Sequence, residues 1–283
     1  MASQYANSYT EGLKSLCNKY HHFPSYLLNK EEPPSHRTLN LNELKDIYSL
    51  IYPVSTGYKL IRLGERGDGG YLIPNCLEGI EMCFSPGTAE QFQFELDLDR
   101  IFNIPSIMCD PSIERPKGLS EKLSFEKLSI GYENKNGMIK LSSWIKKHIE
   151  PKENSLMLSL DIEGGEWKVF MEEDHSFLKN FKIMTFELHF LSYLHDTEFV
   201  KDYFIPVINN IKSKFDIVHV HPQNGSAYCG MYSEGENDEK YLCDCLEFTC
   251  LSKSFRLKEP VPSKLPHPLD HIMNPSYKQH LFL

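Results

Sequence analysis

Residues 156–167 read LMLSLDIEGGEW. An apolar run broken only by Ser159 reaches Asp161, and Ile162, Glu163, Gly164, Gly165 and Glu166 follow. A short apolar run bounded by a glycine signal predicts a strand buried on both faces. In an open α/β sheet, ligands bind beyond the carboxyl ends of the strands. The stretch therefore predicts Asp161 and Glu163 at the rim of a ligand crevice, with two glycines letting the backbone turn and approach closely. Glu166 reads better as an acid of the first helical turn, which the helix dipole favours. Glu163 is a secondary candidate for the site.

Upstream, the pattern of strand, glycine loop and helix repeats. Residues 80–84 form a strand that runs into Ser85-Pro86-Gly87-Thr88, and an amphipathic helix follows with Phe92, Leu96 and Ile101 set among acids. Residues 104–109 form the next buried strand, ending on Asp110. Gly87 and Asp110 are 23 residues apart, about the separation between a glycine-rich first turn and the acid that hydrogen-bonds a ribose hydroxyl in nucleotide-binding βαβ units. The full G-x-G-x-x-G pattern is absent. Residues 125–130 give a third strand ending at Gly131, and 138–148 a helix with Leu141, Trp144 and Ile145 inward. Nearer the N-terminus, two β-prone runs flank Gly67-Asp68-Gly69-Gly70, a hairpin signal in which Gly69 and Gly70 expose backbone N–H groups to a ligand. Residues 40–52 carry apolar side chains at helical spacing, and Pro53 ends that helix.

Downstream, residues 182–190 (KIMTFELHF) predict a fifth strand with Glu187 and His189 on one face. Residues 191–213 are helical, kinked at Pro206. Residues 215–221 (FDIVHVH) form a sixth strand with His219 and His221 two apart, and 245–251 a seventh. Only a loop, about 222–244, separates these last two, which predicts an antiparallel hairpin at one sheet edge. The fold class is α/β: a doubly wound, seven-stranded, mostly parallel sheet with an antiparallel last strand. Residues 1–55 read as an N-terminal helical arm, and 56–283 as a single domain with a Pro-rich tail.

The chain has 283 residues, enough for one large α/β domain or two small ones. Its net charge of −9 argues against nucleic-acid binding, which draws on counterion release by Lys and Arg. No stretch has the roughly 18 to 20 apolar residues of a membrane span. The N-terminal residues lack a charged-then-apolar signal, so the expectation is a cytoplasmic protein. Of the eight cysteines, Cys83, Cys109 and Cys250 sit in apolar runs as core thiols do. Cys243 and Cys245 form a C-x-C without a second pair at zinc-finger spacing and read as ordinary thiols.

The order FSPGT, CDPS, LSLDIEGGEW, FELHF and HVHPQN, with DGGYLIP before it and LPHPLD after it, resembles the FkbM-like class I S-adenosylmethionine-dependent methyltransferases over roughly residues 58–275. The first loop departs from that family, with one glycine where many members have two or three. The resemblance implies that Ser85, Gly87 and Thr88 lie against the methionine part of S-adenosylmethionine. It places Asp110 on both ribose hydroxyls, Gly131 and its neighbours near the adenine, and Asp161 close to the sulfonium and the acceptor. Gly69, through its exposed N–H, joins the cofactor-binding candidates. Members of the family often methylate hydroxyls of sugars or glycans, so the expected partner is a small-molecule or glycan acceptor.

Methyl transfer to oxygen is an in-line displacement that needs alignment and a base for the hydroxyl proton. Asp161, Glu187, His189, His219 and His221 are the candidates, with Asp161, Glu187 and His189 foremost as catalytic residues. Two acids and an imidazole can also hold a divalent metal ion that polarises the hydroxyl, which names Asp161, Glu187 and His221. Without a metal, His189 serves as base, oriented by Asp161 or Glu187. Two other readings stand beside this one: a nucleotide-binding oxidoreductase or sugar-modifying enzyme on the same sheet, and a non-catalytic partner-binding module that keeps the pocket.

Overall fold

The short strands β1 (Val54–Ser55), β2 (Leu60–Gly64) and β3 (Gly70–Pro74) precede the main sheet, and β2 and β3 pair as the expected hairpin. The sheet itself is built from β4 (Met82–Pro86), β5 (Ser106–Cys109), β6 (Leu123–Glu126), β9 (Leu156–Leu160), β10 (Phe181–Leu188), β11 (Phe215–Pro222) and β14 (Leu246–Ser252). Between them, β7 (Ser129–Gly131) pairs with β8 (Met138–Lys140), and β12 (Tyr228–Ser233) with β13 (Glu239–Cys243), while β15 (Val261–Pro262) returns to pair with β1. The helices are α1 (Leu41–Ile51), α2 (Gln93–Phe102), α3 (Leu141–His148), α4 (Glu166–Glu172) and α5 (Ile205–Lys214). This computed structural model describes residues 41–135, 137–195, 197–223, 228–233 and 239–271. The expected arm over residues 1–40 falls outside them.

The order across the seven-stranded sheet is β6-β5-β4-β9-β10-β14-β11. Every pair from β6 to β10 is parallel, and β14 runs antiparallel to both of its neighbours. The hairpin of β11 and β14 is present, but β14 slots inside and leaves β11 as the edge. β14 is tied to β10 by packing as well as by its ladder: Phe248 stacks on Phe186 of β10 with centroids 5.2 Å apart.

Helices cover both faces, as alternation along each strand requires. Leu156, Leu158 and Leu160 of β9, with Met184, Phe186 and Leu188 of β10, pack with α1, α3, α4 and α5. Met157 and Ile183 point the other way, toward α2 and the β2–β3 hairpin. No helix among the described residues is long and apolar enough to cross a membrane.

Four expectations need correction. The run 125–130 is not one strand: Leu128 N–H turns back to Glu126 O at 3.0 Å, which ends β6 and frees 129–131 to pair elsewhere. The helix expected from 138 begins at Leu141, because the Asn134 side chain takes the Lys140 N–H at 2.9 Å and holds 138–140 extended. The stretch 222–244, read as a loop, contains β12 and β13. On α2 the buried residues are Phe94, Glu95 and Leu98. Phe92 and Leu96 are only partly buried, and Ile101 is 61% exposed.

The ends of β4 and β9 are locked together at Gly87. Its φ is +89°, and a Cβ there would lie 1.4 Å from the Asp161 carbonyl oxygen. Asp161 N–H in turn donates to Pro86 O at 3.1 Å. A Gly87→Ala chain must therefore part these strand ends as well as adopt a left-handed backbone. The expected loss is about 2 kcal/mol or more by denaturant unfolding, and larger than for Gly118→Ala, which shares the backbone cost at φ +84° but whose Cβ meets nothing within 4 Å.

Candidate active site

Loops at the carboxyl ends of β4, β5 and β9 open a cleft with about 1000 Å³ of empty volume, part of it open to solvent. One wall comes from Asp68, Gly69 and Tyr71 of the hairpin with Phe94 and Glu95 of α2. The other comes from Asp110, Pro111 and Ser112 after β5 with Leu128, Ser129 and Ile130. Ser85, Gly87, Thr88 and Asp161 lie between them. The structure thus gathers six of the seven expected cofactor-binding residues. Gly131 is not in the lining, but its neighbours Ser129 and Ile130 are.

Asp110 is buried, and its orientation is fixed. Oδ1 accepts from Ser112 N and Oγ, both at 2.6 Å, and Oδ2 accepts from Ala89 N at 3.1 Å. The last bond ties the Gly87 turn to the end of β5, a link that the 23-residue spacing anticipates. Carboxylate oxygens have lone pairs to spare after these bonds.

On the β10 side of Asp161 stands His189, ringed by four carboxylates. Nε2 lies 3.7 Å from Asp161 Oδ1, 3.7 Å from Glu163 Oε2 and 3.8 Å from Glu187 Oε2, and Nδ1 lies 3.5 Å from Glu166 Oε1. Burial alone would push the ring down. The Glu166, Asp161 and Glu187 carboxylates outweigh it and hold His189 well above its ordinary value. These surroundings favour the imidazolium, an internal cation, over a neutral ring that acts as a base. Burial, then the Glu187 charge, pushes Asp161 well above the usual carboxylate range, with His189 pulling the other way. Asp161 Oδ1 is buried, yet 29% of the side chain is exposed, so its remaining atoms meet the cleft.

The opening stretch of sequence is the seat of this imidazole. Trp167 Nε1 donates to the His189 carbonyl at 2.9 Å. Gly164, at φ +100°, leaves room for the Phe190 ring, which a Cβ would approach to 2.0 Å. Glu166 is the expected helix-start acid: its oxygens accept from Ile162 N at 2.7 Å and Gly164 N at 2.8 Å. It is also fully buried against His189, a second role that its position in sequence did not reveal. Glu163, at φ +57°, is exposed toward the same imidazole.

Glu187 is buried, accepting from Tyr71 Oη at 3.3 Å and Cys245 Sγ at 3.1 Å. Burial, with Glu247 beside it, pushes its carboxyl up to about 8. Glu247 stands between Glu187 and His221 in the strand register, and His221 Nδ1 lies 3.4 Å from it. The trio Asp161, Glu187 and His221 is therefore not gathered. Among the described residues, the donor atoms that converge within 4.8 Å are those of Asp161, Glu163 and His189, and those of Glu187, His189 and Cys245. His219 turns away to Asp270 Oδ1 at 2.9 Å. Cys245 was read as an ordinary thiol and Tyr71 was given no role in the sequence; Cys245 is brought to Glu187 at the start of β14, which pairs with β10, and Tyr71 by the packing of the hairpin on the sheet.

Glu187 and His189 both hold protons more tightly in the folded chain than in the unfolded one, so stability falls as pH rises. For Glu187 the window runs from 4.5 to about 8, and the His189 loss begins above 6.5. The thermal midpoint of the ligand-free chain is expected to drop between about pH 5 and 8, and Glu187→Gln to flatten part of that drop. A midpoint that climbs over this range contradicts the carboxylate ring.

No family profile matches the chain, and no curated protein does. Among solved structures it is similar to a chain of the fibrillarin/Nop5p complex, with 12% identity, 62% of this chain and 74% of that one covered, and a TM-score of 0.36. It is also similar to the 30S ribosomal A1408 methyltransferase from an uncultured bacterium, at 9% identity, 68% and 100% coverage and a TM-score of 0.31. A mutant of the 16S rRNA (adenine(1408)-N(1))-methyltransferase from Catenulisporales acidiphilia matches at 10% identity, 76% and 100% coverage and a TM-score of 0.31. Scores this low carry no functional argument, which falls instead to the residues of the cleft.

Proposed function

We propose that the chain is an S-adenosylmethionine-dependent methyltransferase acting on a hydroxyl of a sugar or glycan. The observation that carries this reading is the charge of the cleft. Asp68, Glu95, Asp110, Asp161 and Glu163 line it, and among the described residues no Lys, Arg or His does. Such a lining favours a ligand with positive groups and no phosphate. S-adenosylmethionine has a sulfonium and an ammonium, whereas the pyrophosphate of a dinucleotide meets no side-chain cation here. The same lining and the net charge of −9 speak against an RNA acceptor.

When bound, the cofactor supplies an electrophilic methyl group. The chain's residues do the rest. Asp110 takes the ribose, and Ser129 and Ile130 flank the adenine. Asp161 receives the proton of the acceptor hydroxyl, and His189 as imidazolium stabilises the charge on Asp161 from 3.7 Å. This reverses the roles in which His189 is the base, because the carboxylates around the ring favour its protonated form. If a divalent ion takes part, Asp161, Glu163 and His189 are the donors that fit it, and it would act as a Lewis acid on the hydroxyl.

The test is transfer of labelled methyl from S-adenosylmethionine to a panel of sugars and nucleotide sugars, with RNA alongside. A sugar is expected to accept the label. Asp161→Ala is expected to cut kcat roughly 100-fold or more with cofactor affinity nearly unchanged. His189→Ala should lower kcat as well. Full turnover by both variants, or labelling of RNA alone, sinks this assignment, and activity that survives exhaustive chelation removes the metal.

A further inference from the structure

Glu95 sits on α2, two residues after its start, with its carboxyl under the end of β4. It is 1% exposed. Ser85 Oγ donates to Oε1, while Oε2 is buried and accepts no hydrogen bond from any described residue. Burying half of a carboxylate without a donor is unfavourable, and burial pushes the group up to about 7. Yet Glu95 lines the cleft, beside Tyr71, Phe94 and Gln91. The other four acids there are differently placed. Asp110 has both oxygens occupied by N–H and O–H donors, Asp161 faces His189, Asp68 is only half-buried, and Glu163 is exposed.

We infer that Glu95 is the ligand of the α-ammonium group of the cofactor's methionine moiety, with Ser85 holding the carboxyl in place. The inference rests on the methyltransferase reading and adds a residue to it. Of the two positive groups on the cofactor, only the ammonium donates hydrogen bonds, three of them, and an open carboxylate oxygen calls for a donor. Position agrees. Glu95 is held at the end of β4 by Ser85, and its neighbour Phe94 packs edge-on against Tyr71, which reaches Glu187 of β10, whereas Asp110 follows β5. A cofactor with its ribose at Asp110 then extends its amino-acid end past Asp161 to Glu95.

Calorimetric titration of the wild-type chain and Glu95→Gln tests this with three probes: S-adenosylhomocysteine, its analogue lacking only the amino group, and 5′-methylthioadenosine, which lacks the whole amino-acid end. Wild type is expected to bind S-adenosylhomocysteine about tenfold or more tightly than the desamino analogue. Glu95→Gln should lose that preference while binding 5′-methylthioadenosine as wild type does, which also shows that the variant is folded. If the variant does not fold, the wild-type comparison decides alone: equal affinity for the two long probes overturns the assignment. So does a Glu95→Gln chain that keeps the preference, or one that weakens on all three probes equally. A wild-type chain that binds none of the three overturns the cofactor reading itself, and the assignment falls with it.

Discussion

Gly87 packs so tightly on the Asp161 carbonyl that no other residue fits there. That contact, with the Asp161 N–H bonded back to Pro86, makes the carboxyl ends of β4 and β9 a single rigid floor. The rest of the site is referred to it. Asp110 is hung from the same turn through Ala89. Asp161 is aimed upward from it, and α4 starts immediately beyond, carrying the Glu166 and Trp167 that seat His189. An arrangement fixed by backbone contacts holds reacting groups in register without loss of entropy at the moment of reaction.

Charge is the second organising fact. The cleft is lined by carboxylates, and the His189 imidazole stands 3.7 Å behind Asp161. Acids gathered this closely push one another toward protonation, as Glu187 and Asp161 show. Such a cluster is unfavourable for the folded chain and is the state expected of a site that awaits a positively charged ligand. The Glu95 Oε2 oxygen, buried beside the cleft without a donor among the described residues, points the same way.

The central sheet was legible because its strands are continuous apolar runs that stop at polar residues: 156–160 at Asp161, 104–109 at Asp110. The small pairs were not. β7 and β8 are three residues each, too short for periodicity, and they depend on an Asn134 side chain that no pattern marks. The Asp110 wall of the cleft was legible through a spacing, Gly87 to Asp110. The cluster around His189 was legible only in part. Glu187 lies in β10 and His189 just past its end, but whether His189 is a base or a cation also depends on Glu163 and Glu166, which come from the segment after β9. Glu95 was hidden for a different reason. An acid in an amphipathic helix ordinarily faces solvent, and the apolar residues around it suggested a different inward face.

The account depends on the cleft preferring a phosphate-free adenosyl ligand that carries an ammonium group to a dinucleotide. Titrating the unmodified chain with S-adenosylhomocysteine and with NAD under identical conditions measures that preference directly. Binding of S-adenosylhomocysteine with one site per chain and no detectable heat from NAD is the predicted result. Binding of NAD with no response to S-adenosylhomocysteine would contradict it.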